Sequence, residues 1–341
     1  MKKYTIYIVV FVLVILGYLS YTLSQRNIPA TDFNEVKSYK IGFFALGDKD
    51  IQNENLIGFK KQLEKMGLKE GENVSYVVEI GDRNIKGDLT RAAKKLNDAS
   101  LDIILTGATT ATEELKKLPD LKTRVYFLSV ARPESVVESL TAPEGLITGM
   151  ADGTVLLAGK RLEFLKELVP GIKRVGSVIE KGHTTAQATR AALTEAAKKL
   201  NIEMVFVEIE PGKHEQVFEK LKLMTRANRI DGYVACTCVS NERYSKELIE
   251  HFRKEKIPAV IGEREIGAKL GWLATYSNDR EKAGIAAAQK VYDILNGMPI
   301  SKVPVILTLD ILFEINSKTA QIIGVTIPQA LLVRANKVYN E

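Results

Sequence analysis

Residues 154–180 read TVLLAGKRLEFLKELVPGIKRVGSVIE, and this stretch decides the predicted fold. Its first part carries one apolar stripe at helical spacing, made of Ala158, Leu162, Leu165 and Leu168/Val169. Its last part, RVGSVIE, is a short β-rich run. A helix that leads directly into a strand is part of a βαβ unit. Similar alternation occurs on both sides of this stretch, so we predict two successive α/β series.

The two series are defined by short β-rich runs that alternate with helical patterns. Before the stretch the β-rich runs are YKIGFFAL, NVSYVVEIG, DIILTG, RVYFLSV and GLITGM, and after it they are EMVFVEI, DGYVACTCV and IPAVIGE. This alternation is typical of right-handed βαβ units on a parallel sheet. We therefore predict two similar three-layer α/β lobes, residues 39–151 and 152–274, joined by a hinge. Residues 275–341 are expected to cross back between the lobes, with a helix, a strand and a short terminal helix, and to supply further hinge strands.

A long apolar run precedes the lobes. Two lysines are followed by twenty-two consecutive uncharged residues, 4–25, which is long enough to span a bilayer. The positive-inside rule then puts everything after Arg26 outside the cytoplasm. We favour an uncleaved transmembrane anchor over residues 1–25, and a cleaved signal peptide ending near 22–24 is the alternative. In both cases the domain is exported, and polar residues 26–38 form a linker.

Charge and composition exclude several classes of function. The 341-residue chain has 48 Lys+Arg against 42 Asp+Glu, and its net charge of +6 is spread along helical stretches, which argues against a nucleic-acid partner. Cys236 and Cys238 are too close in sequence for a disulfide between them to hold distant parts of the fold together. Structural cysteines are favoured over a redox or metal pair. The three histidines lack metal-ligand spacing, so no metal or cofactor is expected. We find no nucleophile, base and acid arrangement that indicates an enzyme.

The loop LTGATTATEEL, residues 105–115, is the first candidate binding site, because ligands of open α/β sheets lie at the carboxyl ends of strands. Thr106 ends a strand, and Thr109 and Thr110 precede a helical run. In one interpretation Thr110 and Glu113 form a capping box. In the other, hydroxyls and N–H groups at the helix N-terminus hold an anion such as a carboxylate. The two interpretations are compatible.

Four segments occur in the order and spacing of a known family. They are GFKKQLEKMGLKEGENV (58–74), LAGKRLEFLKELVPGIKRVGSVIE (157–180), TYSND (275–279) and INSKTAQIIGVTIPQALLVRANKV (315–338). They resemble ABC-transporter substrate-binding proteins whose better-known members bind tryptophan or tyrosine, and the resemblance extends from about residue 40 to the end. It implies a two-lobed, periplasmic-binding-protein-like fold. Such a fold closes on a small ligand, often an aromatic amino acid, and passes it to a membrane permease.

The chain departs from the family pattern in three ways. The family commonly has Asp-Pro after the fourth strand, whereas this chain has Arg132-Pro133. A carboxylate suited to a ligand's ammonium is therefore replaced by a cation. Arg132 is either a solvated loop residue or a ligand-binding residue. In the second case its planar guanidinium would form paired hydrogen bonds to a carboxylate or phosphate. The chain also lacks a lipid-modifiable cysteine just after the apolar run, and the second-lobe strand end CTCVSN (236–241) is unusual.

The remaining candidate ligand residues lie at other predicted strand ends. They are Asp48, Ser129, Thr184, Thr185, Glu263 and Tyr276. Asp48 is a helix cap or an ammonium partner, and Thr184 and Thr185 repeat the double threonine of the first lobe. Glu263 and the neighbouring Glu265 follow a strand, where an ordinary solvated loop is the alternative. Tyr276 either stacks on an apolar ligand or belongs to the core.

These observations together predict a monomeric extracytoplasmic solute-binding protein without catalytic activity. It is expected to be tethered by a single membrane pass, or to be secreted if the signal is cleaved. It would capture a small ligand, an amino acid or related anionic solute, between closing lobes and deliver it to an ABC permease. The alternative is a membrane-tethered ligand sensor subunit of a signalling complex.

Overall fold

The computed structural model describes residues 37–47, 54–82, 85–226, 230–236, 239–263, 266–308 and 310–340. The predicted anchor and most of the linker lie outside these ranges. Within them, no helix has both the length and the apolar character needed to cross a membrane.

Strands and helices alternate along most of the described chain. The chain starts with β1 (Tyr39–Ala45), α1 (Glu54–Lys65), β2 (Val74–Ile80), α2 (Asp88–Asp98), β3 (Ile103–Thr106), α3 (Thr109–Lys116), β4 (Val125–Val130) and β5 (Ile147–Ala151). It continues with α4 (Thr154–Leu168), β6 (Arg174–Glu180), α5 (Thr184–Leu200), β7 (Glu203–Ile209), α6 (Gln216–Arg226), β8 (Gly232–Val234), α7 (Val239–Arg243), α8 (Ser245–Glu255), β9 (Ala259–Ile261) and β10 (Ala274–Asn278). It ends with α9 (Arg280–Leu295), β11 (Ile306–Leu307), β12 (Ile311–Asn316), α10 (Ser317–Ile323), α11 (Gln329–Arg334) and β13 (Lys337–Tyr339).

The strands form two separate sheets. The first sheet has the order β11-β5-β4-β3-β1-β2, and all of its neighbouring strands are parallel. The second sheet has the order β13-β12-β10-β9-β8-β6-β7, in which β12 runs antiparallel to β10 and the other pairs are parallel. The prediction of an α/β protein with parallel sheets is therefore confirmed.

The chain passes between the two lobes three times. It leaves the first sheet after β5 to form α4, returns after β10 to pack α9 against α1, and leaves again after β11 to form β12. Hydrogen bonds join the crossing segments: Thr308 N donates to the Ala151 carbonyl (3.3 Å), and Asp279 N donates to the Asp310 carbonyl (2.6 Å). The three crossings therefore form one connected region.

Both faces of each sheet are covered by apolar side chains. On β1, Ile41 and Phe43 belong to one buried cluster, and Phe44 belongs to the cluster on the opposite face, as the two-residue repeat of a strand requires. The second lobe likewise has a core on each face. The predicted stripe of α4 is confirmed, since Ala158 and Leu162 lie fully buried in the second-lobe core together with its other members.

The C-terminal part contains several short strands whose positions the sequence patterns do not give. A strand and further hinge strands are expected there, and the described residues after Trp272 contain four strands: β10, β11, β12 and β13. The first of them, β10, pairs with both β9 and β12. Two of the others, β11 and β13, have two and three residues. Strands this short have no periodic pattern to recognise, because their position is decided by the neighbour with which they pair.

Candidate functional site

The loop after β3 is held by threonine hydroxyls in an arrangement that differs from the predicted capping box. The N-cap of α3 is Ala108, which has no side-chain cap hydrogen bond. Thr112 Oγ1 donates to the Ala108 carbonyl (2.9 Å) and also shares a hydrogen bond with the buried Thr106 Oγ1 (2.6 Å). The capping-box interpretation of Thr110 and Glu113 is therefore wrong, since the helix starts before Thr110.

The two threonines of the first turn of α3 differ in their contacts. Thr109 is buried, and its Oγ1 accepts a hydrogen bond from Ala131 N (3.1 Å). This contact ties the loop after β3 to the loop after β4. Thr110 is half-buried. Both residues lie where the carboxyl ends of β3 and β4 meet.

Ser129, near the end of β4, contacts the first lobe crossing. Its Oγ donates to Asp152 Oδ2 (2.9 Å), and Asp152 Oδ1 accepts from Thr154 N at the start of α4 (2.9 Å). One carboxylate therefore bridges a strand end of the first lobe and the first helix of the second lobe. Sequence reasoning did not single out Asp152, although its position directly before Gly153 and a helix is typical of a capping residue.

Arg132 lies before the short 3₁₀ turn Pro133–Ser135. Its Nε forms an ion pair with Glu134 Oε1 (3.1 Å), and its side chain is 26% exposed. The cation that stands in place of the family's aspartate is thus partly offset by a neighbouring carboxylate. It keeps access to solvent at the carboxyl edge of the first sheet.

In the second lobe the helix after β6 is capped by a histidine. His183 is the N-cap of α5, and its Nδ1 accepts a hydrogen bond from Ala186 N (3.1 Å). An Nδ1 that accepts carries no proton, so the cap requires the neutral ring. Thr184 is exposed and Thr185 is buried. The double threonine therefore does not cap this helix, and the histidine was missed because Ser, Thr, Asp and Asn are the usual caps.

Tyr276 is half-buried within the second lobe. Its ring packs against Phe164 of α4 with 4.5 Å between ring centroids, and it contacts Phe313 of β12 at 6.3 Å. These contacts join it to the second-lobe core. Its backbone carbonyl accepts a hydrogen bond from Arg161 Nε (3.0 Å).

Arg161 is a fully buried cation that sequence reasoning missed. Its two other hydrogen bonds go to the Thr154 carbonyl (3.2 Å) and Thr154 Oγ1 (3.0 Å), so all of its acceptors are neutral. Burial lowers the pKa of Arg161, and the negative charges of Glu263 and Asp152 oppose that shift. Because an arginine stays protonated at physiological pH, a positive charge is fixed beside the first crossing.

The other predicted residues divide between the described and the undescribed parts of the chain. Glu263 is half-buried at the carboxyl end of β9, and Asp48 and Glu265 lie outside the described residues. Cys236 is buried, while Cys238 also lies outside them. In the ranges given above, no group of three or more His, Cys, Asp or Glu side chains is placed to hold a metal ion.

The candidate site is thus a set of polar side chains along the carboxyl edges of two sheets. Thr109, Thr110, Ser129 and Arg132 lie at or just after the ends of adjacent strands of the first sheet. Thr184, Thr185 and Glu263 follow strands of the second sheet. Hydroxyl, carboxylate and guanidinium groups in this arrangement are suited to bind the polar end of a small solute.

Comparison with known proteins gives a family for this architecture. A family model of ABC transporter substrate binding proteins matches residues 40–339. A tyrosine-binding protein of Clostridioides difficile (strain R20291) is 26% identical over 281 residues, which cover 80% of this chain and 77% of that protein.

Two solved structures share the fold. A conserved domain protein from Vibrio cholerae O1 biovar El Tor strain N16961 matches with a TM-score of 0.79 at 21% identity, covering 89% of this chain and 100% of that one. The ABC domain in complex with L-Trp from Streptococcus pneumonia matches with a TM-score of 0.78 at 20% identity and the same coverage. The neighbours confirm the predicted periplasmic-binding-protein-like fold. The matched family consists of solute-binding proteins and not of enzymes. This chain belongs to the family of ABC transporter substrate-binding proteins.

Proposed function

We propose that this protein captures an amino acid or a related anionic solute between its two lobes and delivers it to an ABC permease in the membrane. The relative named as a tyrosine-binding protein and the structural neighbour that contains L-Trp support an amino acid as the ligand. The apolar run at residues 4–25 supports attachment of an exported domain to the membrane.

The observation that carries this proposal is the placement of polar side chains at the strand ends of both sheets, beside a connected set of crossings. Thr109 joins the loops after β3 and β4, and Asp152 links the first lobe to α4. A ligand that contacts both lobes stabilises the arrangement in which they are close together. Part of the ligand's binding free energy therefore stabilises the closed conformation of the protein.

Calorimetric titration of the full chain, purified in a mild detergent, with the twenty amino acids tests the proposal. We expect saturable one-to-one binding of at least one of them, with L-tyrosine and L-tryptophan as the first candidates. The proposal is abandoned if none of the twenty binds.

Arg132→Ala tests whether the cation of the first lobe takes part. If Arg132 holds the ligand's carboxylate, the affinity should fall roughly tenfold or more, because charge-assisted hydrogen bonds are the stronger ones. Arg190→Ala is the matched control, since Arg190 also pairs with a glutamate, Glu208 at 2.7 Å, on an exposed surface of the second lobe. The control should bind like the parent chain. Equal affinity of both variants would remove Arg132 from the site.

A further inference from the structure

Asn278 is a buried polar residue at the end of β10, the last position before the chain crosses back to the first lobe. The residue is 7% exposed, and neither its Nδ2 nor its Oδ1 has a hydrogen-bond partner among the described residues. The next residue, Asp279, has a clear structural role as the N-cap of α9, because its Oδ1 accepts from Lys282 N (3.0 Å). Asn278 has no comparable role in the fold.

A buried amide without partners is unfavourable for folding. Each unsatisfied buried donor or acceptor destabilises the native state relative to a hydrogen-bonded one, and such groups are rare in native proteins. An apolar side chain of similar size would occupy the position without this destabilisation of the native state. A ligand that reaches Asn278 would supply the missing hydrogen-bond partners.

The position of Asn278 fits a ligand contact. Strand β10 runs parallel to β9, so Asn278 lies at the same carboxyl edge of the second sheet as Glu263. Alternate residues of a strand share a face, which places Asn278 with Tyr276 on the side covered by α4. The backbone of Tyr276 contacts Arg161, two residues or about 7 Å along the strand from Asn278.

Arg161 is buried and contacts β10 through the Tyr276 carbonyl. Charges of both signs, on Glu263, Asp152 and Arg280, act electrostatically on Arg161. A zwitterion is the class of ligand that can use positive and negative groups together. A primary amide matches such a ligand, because Nδ2 donates to a carboxylate while Oδ1 accepts from an ammonium group.

We propose that Asn278 is a ligand-contacting residue of the second lobe that determines specificity for the zwitterionic head group of a free amino acid. This inference rests on the function proposed above. It adds the residue that recognises the ligand and the chemical group of the ligand that this residue recognises. Nδ2 donates to the ligand's carboxylate, and Oδ1 accepts from its ammonium group.

The test compares Asn278→Leu in the full chain with the parent by calorimetry, using whichever of L-tyrosine and L-tryptophan the parent binds more tightly. Each amino acid has analogues that lack one charged group: tyramine or tryptamine without the carboxylate, and 3-(4-hydroxyphenyl)propionate or indole-3-propionate without the ammonium. We expect affinity for the amino acid to fall roughly 10- to 100-fold, the loss expected when a buried polar contact is removed. We also expect the preference over the two analogues to shrink.

Ligand-free stability gives a second, independent readout. Removal of an unsatisfied amide should leave the melting temperature of Asn278→Leu unchanged or raised, so that stability and affinity change in different directions. Ser277→Ala is the matched control, because Ser277 Oγ is also buried without a partner but lies on the opposite face of β10. Its affinity should stay within about twofold of the parent.

The outcomes separate the inference from the proposed function. If the parent binds none of the twenty amino acids, both are overturned. If the parent binds and Asn278→Leu binds equally well with the same discrimination between analogues, only the role of Asn278 is overturned, and its amide is hydrated by solvent. Should Asn278→Leu fail to fold, the same criteria apply to Asn278→Ser, which introduces no additional bulk.

Discussion

Thr109 and Thr110 are neighbours in the first turn of α3, but they have different surroundings. The hydroxyl of Thr109 accepts a hydrogen bond from Ala131 N and so holds two loops together. Thr110 is half-buried at the same strand end. The first residue is therefore suited to shape the site, and the second to contact a ligand.

This difference gives a prediction for two single variants. Thr109→Ala should lower the free energy of unfolding by about 1–2 kcal/mol, because the Ala131 N–H loses its acceptor. Thr110→Ala should change that free energy by less than about 0.5 kcal/mol. Its affinity for the amino acid ligand should instead fall roughly fivefold or more. Urea titration measures the first quantity and calorimetry the second, and normal affinity of Thr110→Ala would show that this hydroxyl does not contact the ligand.

Sequence patterns identify many candidate site residues but not their roles. Strand ends followed by helices are visible in the sequence, and they predict Thr109, Ser129 and Arg132 as candidate ligand residues. Their partners are distant in sequence, as for Ser129 and Asp152, and no local pattern reports them. The partnerless amide of Asn278 is visible only in the structure, because burial and hydrogen bonding depend on the packing of several elements.

At the scale of elements, the helix pair α1 and α9 has an unusually close contact. Gly58 of α1 lies against the carbonyl of Glu281, and Gly284 of α9 lies against the carbonyl of Asn55. A β-carbon at either glycine would overlap these backbone atoms. The contact matters for function because α9 starts directly after the second crossing, so the two glycines fix where the returning chain enters the first lobe.

We therefore predict that Gly58→Ala and Gly284→Ala each destabilise the protein by about 1–3 kcal/mol or more, because the backbone atoms that they meet cannot move aside without separating the helices. Chemical denaturation measures this effect. Gly171→Ala is the control, since an added β-carbon there meets nothing within 4 Å. Stability of the two helix variants equal to that of the control would contradict the close packing.

The long helices and strands of both lobes can be predicted from the periodicity of apolar residues in the sequence, whereas the short strands cannot. The stripe of α4 and the β-rich run of β6 are long enough to show a helical or a strand pattern. Strand β11 has only two residues, and its position is set by its pairing with β5. The crossing segments depend on such pairings, so sequence alone indicates that the lobes are connected but not where the chain crosses.

At the scale of the whole molecule, the chain joins two sheets through three connected crossings. Closing of the lobes on a ligand should therefore require backbone rotation in a few residues only. We predict that the radius of gyration measured by small-angle X-ray scattering falls when the bound amino acid is added to saturation. An unchanged radius at saturation would exclude closure as the mechanism.

A second prediction at this scale concerns the apolar run. A chain that starts at Asn27 should be folded, monomeric and soluble without detergent, because the described cores contain only residues from Tyr39 onward. Circular dichroism and analytical ultracentrifugation measure folding and association. A product that keeps its secondary structure but aggregates would argue against two self-contained lobes.

The return of α9 to the first lobe also has a consequence for how the protein is made. Ala287, Ala288, Val291 and Ile294 of this helix are fully buried in the same cluster as residues of β1. During synthesis from the N-terminus, the first lobe therefore lacks part of its core until the second lobe has almost been completed. Contacts so distant in sequence slow folding, and they leave apolar surface exposed in the growing chain. The first lobe is begun first but is completed late.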